Sequence, residues 1–387
     1  MTKHPVDVQE LDGPRLVRRE ELAAARQLAA ICFPGFVDEI TAEEIDAYTL
    51  PARGGLQVIC HRGQPVAQIG ITHSQVNVCG SPLHVASIGG VCTHPDYRGR
   101  GLGTQLLAYC TRQLRDEGAR LMLISGGRGL YLRAGCVTAG TFEYFALKPR
   151  RVRSEPEEIA VRPATEADVP LCARLYQAEA VRFVRRVGDF EGHFRHREEY
   201  PEAEDWIVEV AGRAAAYLFL SVPWEYMRRR NAGVREVFEY AGSRAALTSA
   251  LPVLMAEHDL RELRVFVPWQ DVDFLLLLRR QRTTGECTTL PGHTMRIVNF
   301  PGLMADLQPY VEGQLAEGLQ CGLRFGQEGD VYIITRGQER LELDGAAMTR
   351  LVMGAPGEEV PACSEALEEI ISTLFPLPSF LPGLNYR

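Results

Sequence analysis

Ser87-Ile88-Gly89-Gly90-Val91-Cys92-Thr93-His94-Pro95-Asp96-Tyr97-Arg98-Gly99-Arg100-Gly101-Leu102-Gly103-Thr104 is the stretch on which the reading of this chain turns. An apolar strand ending near Thr93 meets a turn, and the turn opens an amphipathic helix. The helix carries Leu106, Leu107, Cys110 and Leu114 at helical period, with Gly118 as its expected stop. Glycines at 99, 101 and 103 let the main chain come close to a ligand and aim successive N–H groups at it. A helix N-terminus directly behind adds partial positive charge, and Arg98 and Arg100 add full charges on the same rim. Such a crook is built to grip phosphate oxygens.

The type of phosphate ligand follows from spacing. A dinucleotide fingerprint needs a third glycine where Leu106 stands, and a Walker loop needs a Gly-Lys-Ser/Thr triplet that does not follow. What is present is Arg-x-x-Gly-x-Gly, running from Arg98 to Gly103. This string, in its strand-turn-helix setting, resembles the pyrophosphate signature of the GNAT superfamily of N-acetyltransferases. The resemblance implies acetyl-CoA as co-substrate, held by Val91, Cys92, Thr93, Arg98, Gly99, Arg100, Gly101, Leu102, Gly103 and Thr104. It implies that the strand before the crook splays from the next one, Leu121–Ser125, so that the Val91 and Thr93 main chain pairs with the pantetheine arm. An open sheet edge offers the unpaired N–H and C=O groups such an arm needs. It further implies that Tyr131 protonates the departing thiolate, which a phenol with pKa near 10 is able to do. Cys136 stands after Gly135, where an aromatic residue is usual. The Cys92 thiol is expected to be a bystander, on an apolar strand with no paired histidine in sequence reach.

Composition narrows the alternatives. The 387 residues carry a net charge of −8, 46% apolar and 24% charged residues, as in ordinary globular chains of two or three domains. A pI near 5.7 argues against general nucleic-acid binding. Apolar runs are short, as in Phe274–Leu278, so no membrane span is expected. The start, Met1-Thr2-Lys3-His4-Pro5, lacks the apolar core of a secretion signal. Ten cysteines are scattered with no C-x-x-C pair, which suggests a reducing cytoplasm, and no metal site is expected. His193-x-x-His196 is read as part of a surface helix rather than a metal pair.

Three blocks are expected: 1–150, 158–292 and 293–387. Lys148–Pro156 is a charged, proline-bounded linker, and a softer seam lies near Pro291-Gly292. The first two blocks start alike, with a strand followed by a helix, Glu20–Ile31 in one and a helix opened by Thr165 and Asp168 in the other. Each continues with a hairpin (Gly55–His61 with Gln64–His73, and Asp205–Val210 with Ala214–Ser221), then strand, helix and strand. After Val234–Tyr240 the second block reads Ala241-Gly242-Ser243-Arg244, with too few glycines to hold a diphosphate, so one cofactor per chain is expected. The third block, opened by a strand Thr294–Val298, is a small α+β unit. The layout resembles the Eis (enhanced intracellular survival) group of acetyltransferases. That implies an α/β (α+β) chain of two tandem GNAT folds plus a sterol-carrier-protein-like domain, and a homo-oligomer.

The same resemblance implies that the terminal carboxylate, here of Arg387, reaches the active site and helps to organise or deprotonate the amine. The proline-stiffened tail Phe375–Arg387 suits docking, and a water chain or a carboxylate near Asp38 and Glu39 is the alternative base. Phe36, Asp38 and Glu39 are the expected wall of a cationic acceptor site, since aromatics and carboxylates both suit an amine. The expected activity is direct acetyl transfer to a primary amine of aminoglycoside, polyamine or lysine type. The rival readings are an acyl-CoA-binding regulatory module without turnover and a lipid carrier acting through the third block.

Overall fold

The computed structural model describes residues 10–34, 54–124, 126–149, 159–195, 204–223, 233–280 and 287–386. Side chains of residues 287–292 and 386 lie outside this set, as do Phe36, Asp38, Glu39 and Arg387. Among the described residues no helix is long and apolar enough to cross a membrane.

The chain opens with β1 (Leu11–Leu16), a 3-10 turn and α1 (Leu22–Cys32). Then come β2 (Gly54–His61), β3 (Gln64–Val78) and β4 (Ser81–Thr93), each antiparallel to its predecessor. The helix α2 (Leu102–Asp116) crosses over to β5 (Leu121–Ile124), which is parallel to β4, and α3 (Gly129–Arg133) leads to β6 (Val137–Leu147). The second run is β7 (Ile159–Pro163), α4 (Val169–Gln177), β8 (Val181–Phe183), α5 (Val187–Arg195), β9 (Glu204–Val210), β10 (Arg213–Ser221) and β11 (Val234–Gly242). It closes with α6 (Arg244–Glu257), β12 (Glu262–Pro268), α7 (Val272–Arg280) and β13 (Cys287–Ile297).

The two runs pair in a similar order. β7, β9, β10 and β11 are antiparallel neighbours, and β12 joins β11 in parallel, as β5 joins β4. The local chemistry repeats as well. Arg15 holds Glu21 at 2.7 Å, and Arg162 holds Asp168 at 2.7 Å, six residues on in both cases. Each carboxylate also accepts the main-chain N–H three residues back, Arg18 at 2.9 Å and Thr165 at 3.0 Å, which fixes the turn that opens the helix.

The two runs are stitched into one 13-stranded sheet in the order β4-β5-β13-β6-β12-β11 at its middle. The last strand of each run thus lies beside the other run's parallel pair: β13 against β5, and β6 against β12. Two details differ from the sequence reading. The strand expected to open the third block is the end of β13, inside the large sheet. β3 runs past His73 to Val78, where it pairs with β8.

The remaining chain folds as α8 (Phe300–Asp306), α9 (Gln308–Gln314), α10 (Glu317–Gln320), the three-stranded sheet β14 (Leu323–Glu328), β15 (Val331–Arg336) and β16 (Glu339–Asp344), then α11 (Gly345–Met353) and α12 (Glu365–Leu374). Its apolar side chains, among them Phe300, Tyr332, Met348 and Leu367, share one core with Val76, Leu83, Leu121 and Met295 of the large sheet. Burying them stabilises the sheet at ~25 cal/mol per Å².

Candidate active site

The β4 edge is where the two parallel pairs differ from a complete sheet. β4 and β5 are in register only from Val85↔Leu121 to Ile88↔Ile124, while β4 continues to Thr93. Its register against β3 slips between Gly70↔Gly89 and Gln68↔Cys92, which marks a bulge, and Gly90 has φ +58. Beyond the bulge His94 N–H bonds to Val66 O at 2.9 Å. By alternation the main chain of Cys92 faces β3, and that of Val91 and Thr93 faces the side where β5 has ended. Cys92 and Thr93 both stay in register with β3, opposite Gln68 and Ala67, and the Cys92 side chain is buried. Burial first, and then the adjacent Cys32 thiol, hold its thiol well above the ordinary cysteine range, so it is a poor nucleophile.

The crook follows. A 3-10 turn, Pro95–Tyr97, leads to Arg98 in extended conformation, and Gly99 and Gly101 both take left-handed φ of 78°. Only glycine adopts that pair without strain. Gly101 caps α2, whose first internal bond is Gln105 N–H to Gly101 O, so the amides of Leu102, Gly103 and Thr104 precede it and point outward along the helix axis. Arg98 Nε donates to Thr93 O at 3.1 Å, and Arg100 donates to Asp96 O at 3.3 Å, so both guanidinium groups are tied to the turn. The helix is anchored from behind by Leu102, Leu106, Leu107, Cys110 and Leu114, all buried. At its far end Ala119 N–H bonds Leu114 O and Gly118 N–H bonds Arg115 O, closing it at the expected glycine.

Tyr131 sits on α3 and is 5% exposed, within the core of Leu102, Leu106 and Ile124. The two parts meet at Gly103: a β-carbon there would lie 3.6 Å from Leu130 and 3.7 Å from the Thr93 hydroxyl. Burial raises the Tyr131 phenol above its usual value, against the opposing charge of Arg128. Thr93, the start of α2 and the Tyr131 helix therefore lie side by side at Gly103. Sequence reasoning missed the bulge, although a Gly-Gly pair inside an alternating strand is its signal.

The second run has the same splay and no such crook. β11 and β12 pair only from Val234↔Glu262 to Val237↔Val265, while β11 continues to Gly242. There the Gly242 N–H donates to Glu179 at 3.0 Å, and Arg244 is held by Glu179 at 2.6 Å and Asp271 at 2.8 Å. A cavity of about 210 Å³ lies alongside, lined by Tyr176, Glu239, Tyr240 and Gln270 and by Ser379 and Leu381 of the tail. His193 also departs from expectation. Its side chain is 7% exposed, stacked on Phe219 and bonded to Asp205 at 3.0 Å, inside the second run's core rather than on a surface face.

Residues 14–139 match the profile of the acetyltransferase (GNAT) domain family, so the chain carries a GNAT acetyltransferase domain over that span. Nearly the whole chain is similar in fold to a GCN5-related N-acetyltransferase from Kribbella flavida, at 17% identity and TM-score 0.66, covering 97% of this chain and 99% of that one. It is also similar to a probable N-acyltransferase from Enterococcus faecalis V583, at 16% identity and TM-score 0.65, covering 94% and 97%. Eis1 from Mycobacterium abscessus is similar at 15% identity and TM-score 0.60, again covering 94% and 97%. No curated protein sequence matches this chain.

Proposed function

We propose that this protein is an N-acetyltransferase that moves the acetyl group of acetyl-CoA directly to a primary amine. The observation that carries the reading is the bulged end of β4, which runs on past its pairing with β5, beside a helix N-terminus entered through two left-handed glycines. The diphosphate rests on the amides of residues 101–104 with Arg98 and Arg100 on the rim, and the pantetheine arm completes the β4 edge. The amine attacks the thioester carbon, and the Val91 N–H stabilises the developing oxyanion. As the C–S bond breaks, Tyr131 gives its proton to the thiolate sulfur, and the ammonium loses its proton to a base.

The acceptor wall of Phe36, Asp38 and Glu39 and the terminal carboxylate of Arg387 complete this proposal. So does the division into a catalytic unit 1–150, a degenerate copy 158–292 and a third unit 293–387 in a cytoplasmic homo-oligomer. Acceptors of aminoglycoside, polyamine or lysine type suit a site walled by aromatics and carboxylates. Calorimetry with CoA and acetyl-CoA, followed by acetylation assays over those three amine classes, tests it. Binding of one CoA per chain with turnover of at least one class is the expected result, and no heat with either ligand ends the case.

A further inference from the structure

The turn that enters the crook is tied to the sheet by a chain of three side chains from three separate segments. Tyr97 Oη and His61 Nδ1 are 2.7 Å apart, and His61 Nε2 is 2.9 Å from Glu10 Oε2. Glu10 is itself gripped by Arg62, at 2.7 Å from Nε and 3.2 Å from a terminal nitrogen. With a neutral imidazole these partners fix the tautomer: Nε2–H donates to the carboxylate, which leaves Nδ1 to accept the phenol proton. The Tyr97 ring is used a second time. Arg100 lies over it at 5.5 Å, and His94 meets it edge-on at 5.8 Å. His61 ends β2, and its side chain is only 12% exposed, so the anchor belongs to the rigid sheet.

The diphosphate reading gives this chain a purpose. A crook with left-handed glycines at 99 and 101 has a soft main chain, and a ligand that needs several amides aimed at once is weakened by the entropy of ordering them. Fixing Tyr97, one residue before Arg98, orders the crook before any ligand arrives. It also holds the Arg100 cation against an aromatic face on the same rim. We propose that Glu10, His61 and Tyr97 form a positioning relay that pre-organises the crook for the diphosphate of the acyl donor. The inference rests on the reading above and deepens it: His61 and Tyr97 are positioning residues, acting through main-chain amides they do not themselves carry.

The test uses the full chain with Tyr97→Phe, His61→Leu and His61→Gln, and three donors: acetyl-CoA, acetyl-3′-dephospho-CoA and S-acetylpantetheine, which lacks the diphosphate. Tyr97→Phe keeps the ring under Arg100 and removes only the hydroxyl. It is expected to raise KM for both diphosphate donors by about two- to tenfold, the range of one hydrogen bond. kcat, acceptor KM and kcat/KM for S-acetylpantetheine are expected to stay within twofold. His61→Leu does the same, and His61→Gln, whose amide offers both a donor and an acceptor, recovers part of the loss. A tie that serves folding alone would lower thermal stability without separating the donors. Variants that bind CoA like the wild type, or that lose S-acetylpantetheine turnover equally, overturn the relay while leaving the diphosphate site in place. A wild-type chain that binds no CoA overturns both.

Discussion

Glu179 and Gly242 meet at the end of β11, just ahead of α6: the Gly242 N–H donates to the Glu179 carboxylate at 3.0 Å. An internal anion thus occupies the amide, and Arg244 closes over it through two bonds of 2.9 and 2.6 Å. Glu179→Ala removes this anion without supplying the missing glycines, so calorimetry is expected to show one CoA per chain in both wild type and variant. The variant should lose about 1–3 kcal/mol of stability, because Arg244, 20% exposed, then keeps Asp271 alone as an ionic partner among the described residues. A second equivalent of CoA bound to the wild type would refute the internal-anion account.

The crook was legible in the sequence because each of its parts is local. Glycines at 99, 101 and 103, apolar positions at helical period and a stop at Gly118 all act within one turn of their own residue. The insertion of β13 between β5 and β6 was not, since nothing local in Cys287–Ile297 specifies which distant edges it joins. The extension of β3 to Val78 was hidden for the same reason, its partner Val181–Phe183 lying about a hundred residues away. His193 reads as a polar residue on a helix, and only the fold brings the buried Asp205 to it. Long-range pairing decides these features.

Gly101 offers a test of backbone conformation separate from bulk. Its φ of 78° disfavours any β-carbon, yet a β-carbon built there meets nothing within 4 Å in the protein. Gly101→Ala is therefore expected to destabilise the fold by only about 1 kcal/mol. CoA affinity should fall about tenfold, since a one-unit change in binding exponent is only 1.4 kcal/mol and the crook must relax to relieve the strain. Gly101→Trp, which fills the diphosphate's place, should abolish binding. Wild-type affinity in both variants would remove the crook from the site.

Tyr131 gives a prediction in two parts. Tyr131→Phe keeps the buried ring, so thermal stability and CoA affinity should stay near wild type while kcat falls about 10²-fold or more. The second part concerns pH. A proton donor works only while protonated, so its loss appears as a falling rate on the alkaline side. Burial raises the phenol above 10.0, which moves that limb to higher pH than an exposed tyrosine would give. A kcat profile that already falls between pH 8 and 9 in the wild type, and keeps that limb in Tyr131→Phe, would assign the titration to another group.

Arg185 and Glu239 join the tail to the second run, and both side chains are 2% exposed with 2.7 Å between them. Glu239 also accepts from the Tyr217 hydroxyl at 2.9 Å and from the Leu384 N–H at 2.8 Å, while Arg185 donates to Asn385 at 2.6 Å and to Pro382 O at 3.2 Å. A buried pair contributes little net stability when whole, yet breaking it leaves an uncompensated charge in low dielectric. Glu239→Ala is therefore expected to destabilise the chain by about 3–5 kcal/mol. It should also speed hydrogen exchange at the Leu384 amide, which loses its acceptor. Gly383 supplies an independent lever, because it has φ +51 and a β-carbon there would fall 1.8 Å from Glu239 Oε2. Gly383→Ala forces the tail away from the Arg185–Glu239 pair, since the β-carbon would also lie 3.0 Å from Arg185, and should loosen the same amide. If Leu384 exchange is unchanged in both variants, the tail is held by the apolar contacts of residues 374–381 and not by this pair.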